Sequence, residues 1–126
     1  MKEWYTMADS NIHTELCDAS VAGDDNRVRE LLGAGADPDK YRNRHGWTAL
    51  YMAASRGRDS TVSILIQHGA DLNIQNKYGK TALYRAAEKH YDSIVSILIL
   101  HEADLNRLPA GADGAVLHRL SAARLE

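Results

Sequence analysis

Between Tyr41 and Lys89 the sequence concentrates side chains whose types favour binding: Tyr41, Arg42, Arg44, His45, Trp47, Met52, Arg56, Lys77, Tyr78, Lys80, Arg85 and Lys89. Trp, Tyr and Arg are the residues most enriched at binding hot spots. The group is basic and aromatic within a chain of net charge −2, and Glu88 is its main opposing charge. Other chemistry finds less support. There are six histidines and one cysteine, Cys17, but no His-x-x-x-His or Cys-x-x-Cys spacing to gather metal ligands. Gly33-Ala34-Gly35-Ala36 has the character of a helix end rather than of the strand-to-helix turn that cradles phosphate. No Ser, Thr or Cys stands with a His and an acid in a spacing that marks a nucleophile. The expectation is a chain that is not an enzyme and needs no metal or cofactor.

The elements that position these residues are written twice. Gly46-Trp47-Thr48-Ala49-Leu50-Tyr51 returns 33 positions later as Gly79-Lys80-Thr81-Ala82-Leu83-Tyr84. Val62-Ser63-Ile64-Leu65-Ile66 returns as Val95-Ser96-Ile97-Leu98-Ile99, and 19 of the 28 positions from Gly46 to Asn73 are identical in the second copy. A fixed period of this size means stacked units, each too small to bury its apolar face alone. A fainter copy runs from Leu16 to Asp37, and a degraded one begins at Asp113-Gly114-Ala115-Val116-Leu117-His118.

With the Gly-x-Thr-Ala-Leu-Tyr-x-Ala-Ala opening and the Ala-Asp-Leu-Asn close, this pattern resembles the ankyrin repeat family over about Leu16 to Leu120. The resemblance implies an all-α solenoid of helix-turn-helix units joined by β-hairpin-like loops. The expected division is a leader over 1–10, a capping repeat over 11–42, full repeats over 43–75 and 76–108, and a degraded capping repeat over 109–126.

Within the units, helices are expected from about Asn11 to Ala22 and from Asp25 to Ala34. Thr48 and Thr81 should open short helices, and Asp59 or Ser60 and Asp92 or Ser93 should cap the helices that follow. Their expected apolar faces are Val62, Leu65 and Ile66, then Ile94, Ile97 and Leu98. Ala53-Ala54 and Ala86-Ala87 are small where helix pairs approach closely. His90 and Glu102 replace Gly57 and Gly69, so those turns either keep a positive φ at a cost of about 1 kcal/mol each or change shape. A single final helix over Asp113–Leu125 should present Leu117, Leu120 and Leu125. Cys17 fits a small buried hydrophobe.

The two copies differ at nine pairs of positions, among them Trp47/Lys80, Met52/Arg85, Ser55/Glu88 and Arg56/Lys89. In the ankyrin pattern these fall on the inner helix and the hairpin finger, which line a concave face where the family's partners mostly bind. All twelve residues from Tyr41 to Lys89 named above are therefore expected on that face, which turns acidic at Asp18. Trp47 is the foremost contact; the alternative is that it packs on its neighbouring loop. The resemblance also makes Asn73 and Asn106 possible hydroxylation sites, against the plainer role of satisfying a turn. It leaves open whether Tyr51 and Tyr84 replace a hydrogen-bond network that the family builds from histidine.

The implied function is a protein–protein interaction module, an adaptor or scaffold that grips a peptide or loop of acidic character. The alternative is assembly through an under-capped C-terminal edge, with a monomer favoured over a homo-oligomer. The net charge gives no whole-chain attraction to nucleic acid or membrane, so neither is an expected partner. A single cysteine and a polar stretch over Met1–Ser10 fit an intracellular protein, cytoplasmic or nuclear.

Overall fold

The first three repeats each fold as two antiparallel helices because their apolar residues recur at helical spacing and their loops carry turn residues. The computed structural model describes the backbone of residues 2–40 and 42–124 and the side chains of 12–40 and 42–123. The helices are α1 (Lys2–Ala22), α2 (Asp25–Gly33), α3 (Ala49–Ser55), α4 (Asp59–Gln67), α5 (Ala82–Glu88), α6 (Asp92–Leu100) and α7 (Gly114–Arg124). No strand occurs among the described residues. Helices α1, α3, α5 and α7 stack as an inner layer, and α2, α4 and α6 pack behind them as an outer one.

The inner layer is where the alanines matter. Ala53, Ala54 and Ala86 have no exposed surface and Ala87 is 1% exposed, so α3 and α5 meet nearly backbone to backbone. The outer helices bury one stripe each: Val28, Leu31 and Leu32 on α2, and Thr61, Val62, Ile64 and Leu65 on α4. On α6 the buried residues are Ile94, Val95 and Leu98. Val95 therefore takes the place expected of Ile97, and Ile64 that of Ile66, because each stripe lies about one residue further round the helix. On α7 the buried pair is Val116 and Leu120, with Leu117 only half-buried; Leu125 lies outside the described residues.

Two local expectations need correction, the start of the first helix and the caps of α4 and α6. The first helix begins at Lys2, so its backbone runs through the stretch expected as a leader. The side chains of Trp4 and Tyr5 lie outside the described residues. Thr48 and Thr81 do cap α3 and α5, accepting from Tyr51 N and Tyr84 N at 3.2 Å. The N-cap positions of α4 and α6, however, are Arg58 and Tyr91, neither of which makes a side-chain cap. Asp59 and Asp92 sit inside the first turn, where their charge favours the helix dipole instead. Arg58 reaches across the first repeat interface, where its Nε donates to Val21 O at 3.0 Å.

The turns at His90 and Glu102 keep their shape, with φ of 65° and 67° against 72° at Gly57 and 87° at Gly69. Both residues are exposed, so no packing offsets the left-handed strain. His90→Gly and Glu102→Gly are each expected to raise stability by about 0.5–1 kcal/mol, since relief of strain exceeds the entropy that glycine adds to the unfolded chain. Thermal unfolding of the two variants checks this; a lower melting temperature would contradict it.

Cys17 is 4% exposed, and burial followed by the Asp18 charge pushes its thiol up to about 12 from 9.0. It is a core side chain rather than a nucleophile at neutral pH.

Candidate protein-binding face

The fingers that carry half of the predicted contacts are closed by two asparagines. Asn43 Oδ1 accepts from His45 N at 2.9 Å and Trp47 N at 3.0 Å. Asn76 Oδ1 does the same for Tyr78 N at 2.8 Å and Lys80 N at 3.0 Å. These asparagines are 33 positions apart, a repeat-spaced signal that reasoning from the sequence passed over. The fingertips are then tied to each other, Lys77 N donating to His45 O at 3.1 Å. A second ladder runs between the loops at the other end of each finger. Asp71 N donates to the Asp39 carboxylate at 2.9 and 3.2 Å, and Asp104 N donates to Asn73 Oδ1 at 2.7 Å. The Asn73 side chain is thereby engaged in a bond to the next repeat, whereas Asn106 is exposed.

Asp39 fills the ladder position that Asn73 fills one repeat later. Burial first, then the charges of Asp37 and Asp71, push its carboxyl above the ordinary value against the pull of the Asp71 N–H. A carboxyl raised in the folded state weakens folding once it is ionised. Asp39→Asn keeps the acceptor and drops the charge. It is expected to add a few tenths of a kcal/mol at neutral pH, a gain that disappears as the pH falls through the carboxylate range. Urea titrations at pH 7 and pH 4 test this, and a loss of stability at neutral pH would contradict it.

Between the fingers and the inner helices lies a continuous aromatic and charged cluster. The Trp47 ring centroid is 4.9 Å from that of Tyr51 and 5.8 Å from that of His45. Arg85 Cζ lies 6.0 Å from the Trp47 centroid, within cation–π reach. Arg85 Nε donates to Ser55 Oγ at 3.1 Å and its Nη1 donates to Glu88 Oε1 at 3.0 Å. Lys80 Nζ reaches both oxygens of Glu88, at 3.1 and 2.9 Å, and stands 5.8 Å from the Tyr84 centroid. Burial acts to raise the Glu88 carboxyl, but hydrogen bonds from Lys80 and Arg85 outweigh it and hold the group below its ordinary value. Glu88 thus contributes stability at neutral pH that is lost only as the pH falls through that lowered value.

Beside this cluster, Tyr78, Lys80, Tyr84, Glu88, Pro109 and Gly111 line a groove of about 420 Å³. Its far wall is fixed by Asp113 N, which donates to Tyr84 Oη at 2.8 Å. That bond answers part of the question about the tyrosines: Tyr84 does link its repeat to the next. Burial, the largest effect, pushes the Tyr51 phenol up to about 12, while Arg85 acts to lower it and Glu88 to raise it. Tyr51 is therefore neutral under physiological conditions.

The expected strip is only partly assembled. His45, Trp47, Lys80 and Arg85 converge, with Tyr78 62% exposed at the groove's edge. Arg44 and Lys77 are exposed on the fingertips, and Arg56 and Lys89 are exposed at the C-caps of α3 and α5. Met52 does not belong: it is 8% exposed and packs in the core, because the thioether has no reason to reach water where Arg85 does. Arg42 is also elsewhere, lining a separate cleft with Asp71, Asn73, Ile74, Gln75 and Arg107. Tyr41 lies outside the described residues. Trp47 is half-buried against its neighbours, as the packing alternative expects, and its Nε1 is buried and unpaired among the described residues. Ser55 and Tyr51 join the site unforeseen. The Ser55/Glu88 difference between the copies was the available signal for Ser55.

Among the described residues, no three His, Cys, Asp or Glu side chains gather closely enough to hold a metal, and no helix is long and apolar enough to cross a membrane.

A stack of paired helices with projecting fingers and a polar inner face defines a repeat-built interaction module. The family model for ankyrin repeats in three copies matches residues 16–108, and the chain belongs to the ankyrin repeat family. Such repeats are in general non-catalytic modules for protein–protein interaction. The chain is 40% identical over 70 residues to the mitochondrial disaggregase of Bos taurus, covering 56% of this chain and 10% of that protein. It is 41% identical over 58 residues to the 2-5A-dependent ribonuclease of Mus musculus, covering 46% of this chain and 8% of the relative. A match to ankyrin repeat domain-containing protein 40 of Mus musculus reaches 37% over 59 residues, 47% of this chain and 16% of that one. The matched stretches span a small part of each relative, so the activities those names describe belong to them.

Proposed function

We propose that this chain is an adaptor that holds an acidic peptide or loop of another protein against its fingers and inner helices. The observation that carries this reading is the excess of cations on that face. Arg44, Arg56, Lys77, Lys80, Arg85 and Lys89 stand there with Glu88 as the one carboxylate of α5 between them. Exposed Tyr78 and half-buried Trp47 supply apolar contact beside the charges. The mechanism is preorganisation: fingers tied to one another lose little freedom when a partner is bound.

A second reading, assembly through the C-terminal edge, is favoured by Leu100 at the end of α6, which is 78% exposed. Site-specific photo-crosslinkers at positions 44, 77 and 100, exposed to a cell lysate, separate the two. Adducts at 44 and 77 with an acidic protein support the proposal. Adducts confined to position 100, or dimers of the chain, would move the site to the edge.

A further inference from the structure

We propose that Lys80 and Arg85 form the anchor for a single carboxylate side chain of the partner, and that Glu88 is its internal stand-in, displaced when the partner docks. The inference rests on the reading above that the partner is acidic and lies on the inner face. Three observations carry it. First, the two cations converge on one carboxylate, at 2.9–3.1 Å from Lys80 and 3.0 Å from Arg85. Arg85 is held in place from behind by the Ser55 hydroxyl at 3.1 Å. Second, the site is accessible. The Lys80, Arg85 and Glu88 side chains keep 26%, 24% and 29% of their surface, and Lys80 and Glu88 open onto the groove beside Tyr84.

Third, the fold does not need these charges. The second repeat builds the same inner helix with Trp47, Met52 and Ser55 at the positions of Lys80, Arg85 and Glu88. Two copies of one helix, one with the charge cluster and one without it, separate what folding requires from what the third repeat adds. Exchange of one carboxylate for another leaves both cations paired throughout, so docking strands no charge in a half-buried site.

Random-peptide display on the intact chain supplies the probe, and fluorescence anisotropy of a selected peptide reads the affinity. The expected result is a recurrent Asp or Glu at one peptide position. Glu88→Gln should bind that peptide about tenfold tighter, and Lys80→Met should bind it about tenfold weaker. A Gln-substituted peptide should bind the parent weakly and gain nothing from Glu88→Gln. If Glu88→Gln melts early, Glu88→Ser, which installs the residue of the second repeat, carries the same test. Peptides without a recurrent carboxylate, or affinity unchanged or lowered in the Glu88 variant, would overturn the proposal. If those peptides still depend on Arg44 and Tyr78, the anchor alone fails. If they ignore Arg44 and Tyr78 as well, the inner-face reading fails with it.

Discussion

Ala86→Leu is expected to cost about 1–3 kcal/mol and to break the stack near its middle. Ala86 and Ala53 have no exposed surface, and α3 and α5 pack directly on each other. Three added carbons have nowhere to go except by separating the helices. In a solenoid each unit leans on its neighbours alone, so a damaged interface also uncouples what lies beyond it. The C-terminal units already carry strain at His90 and Glu102. Urea unfolding should therefore show an earlier transition, broadened as the α5–α7 part opens before the rest. A curve superposable on the parent's would mean the layer has slack that the buried alanines do not suggest.

Asp25→Ala is expected to cost about 1–2 kcal/mol, a large effect for a half-buried carboxylate at the start of a helix. Its two oxygens accept from Ser60 Oγ and Thr61 Oγ1, both at 2.5 Å, and so clasp the first repeat to the second. Thr61 is fully buried, and without Asp25 its hydroxyl loses that partner in a place water does not reach. Burial acts to raise the Asp25 carboxyl, but the two hydroxyl bonds and the Arg29 charge outweigh it and lower the group. The contribution is thus complete above the ordinary carboxylate range and is lost as the pH falls through the lowered value. The gap between parent and variant should be full at pH 7 and narrow toward pH 3. A pH-independent gap would mean the cost comes from packing rather than from the charged clasp.

The repeats, the helix openings at Thr48 and Thr81 and the core alanines were legible because they are local or periodic. So was the helix that follows Asp113. The helix caps at Arg58 and Tyr91 were not, because Asp59 and Asp92 have the right type one position too late. The clasp at Asp25 joins residues 35 and 36 positions apart, which a pattern within one repeat does not display. Its trace was the Thr61/Ile94 difference: a buried hydroxyl on α4 where α6 has a hydrocarbon. On the candidate face, comparison of the two copies pointed to Trp47, Lys80 and Arg85, which the structure brings into one cluster. It misjudged Met52, because the same backbone position buries a thioether and lets a longer guanidinium reach Glu88 and Ser55. Arg42 misled for another reason. It lies in the loop with the extra residue and lines a different cleft, with Asp71, Asn73, Ile74, Gln75 and Arg107.

The most direct test of an acidic partner held on the inner face is affinity capture from cell lysate with two baits. One is the chain itself; the other carries Arg44→Ala, Lys77→Ala and Tyr78→Ala, three exposed positions whose loss leaves the core intact. The two baits should melt at the same temperature. A protein with an acidic segment, retained by the first bait and lost from the second, is the expected result. Equal recovery on both baits would contradict it and place the contact away from the fingers.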